Sequence, residues 1–465
     1  MIRTFFFIFQ FLFFTGIWNT GQAQQSAASS ENNYSIQSAI SRALQRNNQV
    51  LASAFSIKKA SWDRKLAWSQ LLPEISLNTR YTWIDDSTLA LRDFSRYFND
   101  PNSPFQIPRT VFQNAYSTSL DISVPLFDGA LFNGLAIAGT NVKMAQQQGK
   151  TVKDNVIFQV VSGYLAVLKS RDILDLQKEY LELSRLNSQK AERMFAAGRY
   201  SKTESLRWKV EHQQQKSLVV SNETLLRNNV SVLRRVLGLK VTDEIDIDAS
   251  IPAKIRRESE RLEKLPEAEL LQMILLSDAK LITVNAGLSA GKFDAEMSRL
   301  LYRNAYASYL PKVSATYSHA WRENNSLALD DYSPKTFMIH VRVPIFSGFK
   351  NLSSVKSSYY AHKQKEELFK DQIQQTRHHL TQLVHRLVDL RMRRDLNRAE
   401  VEFNAHNYKV VARQKEAGLI SNIAFIDAKL SLQNARLAEI STQYDFISNM
   451  VELYFLLGKL HLIVD

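Results

Sequence analysis

The stretch LLPEISLNTRYTW at positions 71–83 decides how this chain folds, and a similar stretch, YLPKVSATYSHAW, returns 238 residues later at positions 309–321. In both stretches a Leu-Pro pair precedes about ten residues that alternate between apolar or aromatic and polar side chains. Alternation over this length is typical of a β-strand with one face in an apolar environment. The recurrence indicates that the chain contains two copies of one structural unit.

Three further motifs recur in the same order. VPLFDG at 124–129 returns as VPIFSG at 343–348, AGRYS at 197–201 as AGLIS at 417–421, and LG at 237–238 as LG at 457–458. From these motifs we expect a first repeat over 24–239, with strands at about 74–85 and 115–125 and a helical hairpin over 128–237. A connector follows over 240–265. The second repeat spans 266–465, with strands at about 312–322 and 335–344 and a hairpin over 347–457.

The alternating segments have the features of membrane-crossing strands. Their length fits the ~9–11 residues that cross a bilayer as a tilted strand. Their polar faces carry charges, which a water-filled lumen accepts and a dry core does not; these predicted lumen residues are Arg80, Asp121, Lys312 and Arg342. Aromatic residues lie toward one strand end, as at a membrane interface; these are Tyr81, Trp83, Tyr317 and Trp321.

The number of strands implies an assembly. Four strands cannot close into a barrel, and open edges in lipid leave unpaired backbone groups that cost several kcal/mol each. Three copies of the chain would supply twelve strands, an even number within the range of known barrels. The segments between paired strands, 85–109 and 323–335, are predicted to be loops at the barrel mouth.

The strand pairs are followed by stretches that predict very long helices. Asp128 and Ser347 are suitable N-caps, and no proline interrupts the chain from there to Gly198 and Gly418. A helix of about 70 residues would be ~105 Å long. Apolar residues recur at helical spacing, with an alternating three-and-four pattern over 437–454 that favours coiled-coil packing. Each glycine then ends one helix, and a serine (Ser201 or Ser421) caps the next.

A shorter helix is expected before each strand pair. The first lies at 35–47, and its counterpart is predicted at 267–277. On this alignment 26 residues separate Asn47 from Pro73 and 33 separate Asp278 from Pro311. The extra seven residues would equal about two helical turns.

The N-terminal segment, the absence of cysteine and the distribution of charge limit the classes of protein to which this chain can belong. Arg3, the apolar run at 5–14 and small residues at 21–23 predict a secretory signal peptide over 1–23. The chain has no cysteine, so disulfides and thiolate metal sites are excluded. The net charge of +13 is spread along the chain, which favours solvated helix faces over nucleic-acid binding. The histidines at 378, 379 and 385 lack partners at metal-ligand spacing, and enzyme motifs are absent, so no catalytic, cofactor or metal site is expected.

Taken together, these motifs resemble the TolC-type outer-membrane efflux proteins, also called outer membrane factors. The Leu-Pro strand starts, the Val-Pro-Leu/Ile-Phe junctions, the Ala-Gly tips and the stretch SNIAFIDA at 421–428 carry the resemblance, which covers about 34–462. It implies a homotrimer in the outer membrane of a Gram-negative bacterium, with a twelve-strand β-barrel continuous with a helical periplasmic barrel. It also implies export of drugs, metals or proteins, driven by an inner-membrane transporter that is joined through a periplasmic adaptor.

The resemblance carries over to particular positions. The adaptor-docking tips would be Gly198, Arg199, Ser201, Gly418, Leu419 and Ser421. The family closes its periplasmic entrance with aspartates six and nine residues after the second tip glycine; here these positions are Ala424 and Asp427, with Glu204 and Arg207 in the first half. We therefore hypothesise a weaker preference for cations than is usual in the family.

The sequence also allows interpretations in which these residues have only structural roles. The tip glycines permit a turn whether or not an adaptor binds, and Asp427 can be a solvated helix residue. A non-conducting periplasmic coiled-coil scaffold would have the same helices. Only the alternating strands with charged polar faces distinguish the channel from such a scaffold.

Overall fold

The computed structural model describes residues 33–99, 104–105, 107, 111–324, 329 and 332–464. The predicted signal peptide lies outside these residues. The first half contains β1 (Asn33–Tyr34), α1 (Ile36–Arg46), α2 (Asn48–Ser69), β2 (Glu74–Trp83), α3 (Asp86–Arg92), α4 (Ser95–Phe98), β3 (Asn114–Phe127), α5 (Gly129–Ala196) and α6 (Lys202–Val236).

The second half follows a similar order after a connecting segment. It contains β4 (Asp246–Ile247), α7 (Ala253–Lys264), α8 (Glu267–Ile274), α9 (Asp278–Val284), α10 (Ala286–Tyr306), a 3₁₀ turn (Ala307–Tyr309), β5 (Lys312–Glu323), β6 (Lys335–Arg342), α11 (Lys350–Glu416), α12 (Asn422–Leu456) and α13 (His461–Val464). The segment at 240–265, expected only as a connector, contacts both halves. Its strand β4 pairs in parallel with β1 of the first half, and its helix α7 packs against α12 and α13 of the second half.

The four longer strands form one antiparallel sheet in the order β2-β3-β5-β6. Its central pair, β3 with β5, joins the two halves of the chain. The register is continuous, with Thr79 opposite Thr118 and Thr118 opposite Trp321. Strands β2 and β6 are the sheet's edges, and neither is paired on its outer side within the described chain.

The long helices are as long as the proline-free stretches of the sequence. Helix α5 has 68 residues and α11 has 67, so each extends ~100 Å from the sheet at 1.5 Å per residue. Each packs antiparallel against a 35-residue partner, α6 or α12. Among the described residues, no helix combines the length and apolar character that a membrane-spanning helix requires.

The main core lies around the C-terminal ends of α6 and α12, away from the turns at Gly198 and Gly418, where α1, α7 and α8 pack against the long helices. The predicted stripe on α5 is buried there, including Val160, Tyr164 and Leu168. In α12, Tyr444, Ile447, Val451 and Tyr454 are buried at the predicted three-and-four spacing. Phe446, Met450 and Leu453 are buried as well, so this part of α12 packs on more than one face.

The alignment of the short helices before the strands was wrong. Asn47 caps α2 and donates from Nδ2 to the carbonyl of Val236 (2.8 Å), while Asn285 caps α10 and donates to the carbonyl of Leu456 (3.1 Å). The counterpart of Asn47 is therefore Asn285, which lies 26 residues before Pro311, the same separation as in the first half. No extra seven residues need to be accommodated, and the counterpart of α1 is α9.

The prediction that Ser347 caps the second long helix was also wrong. Asp128 does cap α5, with its carboxylate accepting from the amide of Ala130 (2.9 Å). In the second half the backbone enters the left-handed region at Gly348 and Phe349, so α11 begins only at Lys350. The first junction is held by the pairing of Phe127 with β5, whereas the second adjoins the edge strand β6 and has no such partner among the described residues.

The predicted loop at 85–109 is partly helical. Asp85 caps α3 by accepting from the amide of Thr88 (3.0 Å), and α4 follows shortly afterwards. The Asp-x-x-Thr pattern before an apolar run is an N-terminal helix signal that the prediction overlooked. Positions 100–103, 106 and 108–110 lie outside the described residues.

Candidate functional site: the helical tips and the strand sheet

The two tip glycines end their helices by the same backbone geometry. Gly198 has φ +68° and Gly418 has φ +76°, in the left-handed region that glycine adopts without strain. The amide of Gly198 donates to the carbonyl of Phe195 (2.9 Å) and that of Arg199 to Met194 (2.9 Å). Gly418 and Leu419 repeat this pattern, which is the Schellman motif.

Both tips are open to solvent. A Cβ at Gly198 or Gly418 would have no neighbour within 4 Å, so only the backbone conformation requires glycine there. Leu419 is 75% exposed, and Arg199 is also exposed. The predicted tip residues are therefore accessible at the end of the molecule farthest from the sheet.

A capping serine starts the second helix of each hairpin. Ser201 Oγ accepts from the amide of Glu204 (3.2 Å), and Glu204 returns a bond by accepting from the amide of Ser201 (3.0 Å), which forms a capping box. Ser421 Oγ accepts from the amide of Ala424 (3.2 Å). Ala424, one of the two positions predicted at the entrance, has no carboxylate that could accept from the amide of Ser421. The second tip therefore has no capping box.

Glu204 also joins the two tips. Asn422 Nδ2 donates to Glu204 Oε1 (2.8 Å), so the start of α6 is linked to the start of α12. The pKa of Glu204 is lowered, chiefly by the hydrogen bond from the Ser201 amide and also by Asn422 and the charge of Lys415. Glu204 was predicted to line the entrance. In the structure its carboxylate caps α6 and accepts a hydrogen bond from the other hairpin.

The other predicted entrance residues, Arg207 and Asp427, are exposed. They lie on different helices, α6 and α12, and the structure brings neither into the Glu204 network. Beneath them Trp208 and Phe425 are buried, with ring centroids 6.1 Å apart, and Tyr408 packs on Phe425 at 5.5 Å. This small aromatic cluster holds the ends of the two hairpins together.

Sequence reasoning missed a row of buried polar side chains along α6 and α12. Lys429 is 0% exposed and forms an ion pair with the buried Glu211. One turn farther along, Gln433 Nε2 donates to Gln215 Oε1 (3.0 Å) and to Gln177 Oε1 (2.9 Å). Three of the pairs, Lys429 with Glu211, Gln433 with Gln215 and Asn422 with Glu204, share one offset of 218 residues.

A signal for this row was present in the sequence. Positions 204, 211 and 215 on α6 and positions 422, 429 and 433 on α12 have the same seven-and-four spacing and are all polar. Seven residues complete about two helical turns, so the three positions of each helix lie on one face. The recurrence of this polar stripe in both repeats could therefore have predicted that α6 and α12 pair.

The sheet separates two faces as the alternation predicts. Register pairs Arg80 with Ser117 and Lys312 with Arg342, and Asp121 accepts hydrogen bonds from Asn78 (2.7 Å), Ser119 (2.8 Å) and Ser318 (2.5 Å). The four predicted lumen residues lie on one polar face or at its end. Lys312 additionally forms an ion pair with Asp128 at the start of α5 (2.9 Å).

The aromatic residues lie on the opposite face but do not form a single row. Tyr81 stacks on Tyr116 (4.9 Å between ring centroids), and Trp83 is at the end of β2. Trp321 is level with Thr79. Tyr317, however, is level with Ile75 and lies in the middle of β5, so it belongs to a different level of the sheet.

A duplicated unit with a small antiparallel sheet at one end and paired helices of about 100 Å defines the class of outer-membrane export channels. The family model described as "Outer membrane efflux protein" matches residues 39–239 and 280–459, and the chain belongs to this family. It is an outer-membrane channel component of an efflux or secretion system.

Known relatives agree with this assignment. Alkaline protease secretion protein AprF of Pseudomonas aeruginosa is 19% identical over 424 residues, covering 90% of this chain and 83% of that protein. The crystal structure of VceC from Vibrio cholerae has a TM-score of 0.73 at 14% identity, covering 91% of this chain and 96% of VceC. The Campylobacter jejuni CmeC channel has a TM-score of 0.74 at 13% identity, covering 92% of this chain and 86% of CmeC. At these identities the structural likeness shows the fold.

Proposed function

We propose that three copies of this chain form one continuous tunnel across the outer membrane and into the periplasm. The sheets of the three copies would close a twelve-strand barrel, and the paired long helices would form the periplasmic part. Substrates would enter at the helical tips from a partner complex and leave at the strand end. No chemical step on the substrate is required of this chain.

The observation that carries the proposal is the incomplete edge at β6. Ile345 is 96% exposed and Phe346 is 77% exposed, immediately after an edge strand that has no outer partner in the described chain. The equivalent segment of the first half is paired with β5. Strands alternate in direction across the sheet, so β2 of a second copy would meet β6 antiparallel and supply the missing partner.

The two faces of the sheet support a membrane position for this barrel. On the face opposite the charges, Ile75 is 66% exposed, Leu77 67% and Phe337 65%. An apolar face of this kind is expected to contact lipid, while the polar face would line a water-filled lumen. A water-soluble scaffold would have to expose the same apolar side chains to water, which makes that alternative the weaker one.

We further propose that the tips receive a periplasmic adaptor that links the channel to an inner-membrane transporter. AprF, by its name, serves the secretion of alkaline protease, and our chain would serve an analogous export system. Leu419 and Arg199 provide an exposed apolar and a basic contact. Maleimide cross-linking from Leu419→Cys to a co-expressed adaptor should succeed. Lys216→Cys, exposed but ~20 Å farther along the hairpin, should be labelled by the maleimide without forming a cross-link to the adaptor.

The trimer can be tested at its edges, because the chain has no cysteine of its own. In the double variant Leu77→Cys/Ile339→Cys, a flexible bismaleimide should join β2 of one copy to β6 of the next and give bands that end at the trimer. The matched control Leu77→Cys/Leu120→Cys joins residues that are opposite each other within one chain, so it should remain monomeric on a denaturing gel. Monomer bands alone from both variants would contradict the trimer.

A further inference from the structure

A cavity of about 220 Å³ lies beside the tips, between the two hairpins. Its walls come from all four long helices, with Asn187 from α5, Trp208 from α6, Tyr408 from α11 and Phe425 from α12. A cavity of about 150 Å³ in a protein interior accepts benzene. This cavity is therefore large enough for a benzene ring with one or two polar substituents.

Two buried amide atoms at this cavity have no hydrogen-bond partner among the described residues. They are Nδ2 of Asn187, a donor, and Oδ1 of Asn422, an acceptor; Asn422 is 4% exposed. A buried polar atom without a hydrogen-bond partner is destabilising, because it has lost its contact with water and gained none in return. The other end of Asn422 is occupied by Glu204, which fixes the orientation of its side chain and keeps Oδ1 available.

The lining of the same cavity carries more positive than negative charge. Lys190 and Lys415 both line it, against one lining carboxylate, Glu416. The pKa of Lys415 is lowered by burial and, to a lesser extent, by repulsion from Lys190, while Glu204 acts in the opposite direction. The Lys415 ammonium lies 5.6 Å from the ring centroid of Tyr200, so an aromatic wall adjoins the charge.

We propose that this cavity binds a small aromatic carboxylate, with the ring among Trp208, Tyr408 and Phe425 and the carboxylate at Lys415 and Lys190. A hydroxyl on the ring would accept from Asn187 and donate to Asn422. Such a ligand would match the lining of the cavity, because its negative charge, hydrogen-bond donor and acceptor would face the lysines, Asn422 and Asn187 around an apolar body. This site goes beyond the channel function and depends only on the fold of the chain.

Because the walls belong to both hairpins, the ligand would bridge them. Binding to the folded arrangement alone stabilises that arrangement by mass action. A bound aromatic carboxylate would therefore oppose separation of α6 from α12 at the tips. Export would then respond to the concentration of the ligand on the periplasmic side.

The experiment is isothermal titration of the purified full chain in detergent with 4-hydroxybenzoate. We expect saturable binding of one molecule per chain, with 4-hydroxybenzamide, which has the same shape without the charge, binding at least tenfold more weakly. Lys415→Gln should weaken 4-hydroxybenzoate at least tenfold. Lys409→Gln is the matched control, because Lys409 is exposed on the same helix and does not line the cavity.

A second variant separates binding from stability. Asn187→Leu removes the unpartnered donor, so the thermal midpoint of the ligand-free protein should rise while affinity for 4-hydroxybenzoate falls at least tenfold. A residue with a purely structural role would not change the two quantities in opposite senses. Absence of saturable binding, equal affinity for the acid and the amide, or unchanged affinity in Lys415→Gln would overturn the proposal without affecting the channel.

Discussion

Replacing Lys429 by methionine tests the inferred pairing of the two hairpins. Lys429 is 0% exposed, and its ion-pair partner Glu211 has a side chain that is 6% exposed. The second carboxylate oxygen of Glu211 already has no hydrogen-bond partner among the described residues. The substitution would leave the carboxylate buried without any compensating charge.

The expected loss follows from this geometry. Removing one member of a buried ion pair typically costs ~3–5 kcal/mol, since the remaining charge stays desolvated. The double variant Glu211→Leu/Lys429→Met removes both charges, and such apolar replacements are often neutral or stabilising by ~1–4 kcal/mol. The single variant should therefore be much less stable than the double variant, although it changes fewer atoms.

Amide hydrogen exchange measures this loss locally, which suits a large chain that does not unfold in one step. If the local opening free energy falls by ~3 kcal/mol, amide exchange becomes about a hundredfold faster, provided that opening and closing are rapid relative to exchange. We expect this acceleration over 205–219 and 425–437 in Lys429→Met, and near wild-type rates in the double variant. Equal exchange in Lys429→Met and wild type would refute the buried pairing.

Three further outcomes are expected at the tips. Glu204 has a lowered pKa, so its stabilising contribution is fully present above its ordinary value of 4.5 and is lost as the pH falls through the lower folded value. Protection of the amides at 202–208, expressed relative to the intrinsic exchange rate at each pH, should therefore fall at acid pH, and Glu204→Gln should lose this response. Gly418→Ala places a Cβ at φ +76° and should lower the local opening free energy of the tip by ~1–2 kcal/mol. Gly134→Ala, the control within α5 and with open space around it, should raise the local opening free energy by up to ~1 kcal/mol. Both changes are measured by amide hydrogen exchange. Arg207→Glu should shift the single-channel reversal potential toward cations, and strong cation selectivity already in the wild type would contradict the weaker preference inferred from Arg207 and Ala424.

The local elements follow from the sequence because their signals are local. Alternation from Ile75 to Trp83 is enough to give a strand and its two faces. The absence of proline before Gly198 and Gly418 gives the long helices. Asp128 and Ser201 have the residue types that cap helices, and the structure uses both in this way.

The strand register and the buried polar pairs could not be predicted from the sequence, because they depend on contacts between distant segments. The pairing of β3 with β5 joins residues about 200 positions apart, as in Asp121 with Ser318, and no local pattern encodes that register. Ser347 does not cap α11 because the backbone turns through the left-handed region at Gly348 and Phe349, in a segment that has no strand partner among the described residues. The partners Glu211 and Lys429 are polar residues in helices, which in isolation indicate solvent-exposed positions and here are buried by helix pairing.

Single-channel recording in a planar bilayer tests most directly whether this chain forms a conducting tunnel. The purified, detergent-solubilised protein should insert and produce uniform conductance steps, because the polar strand faces of three copies would enclose a water-filled lumen. Inserted, folded protein that never raises the current above that of the bare bilayer would contradict the account.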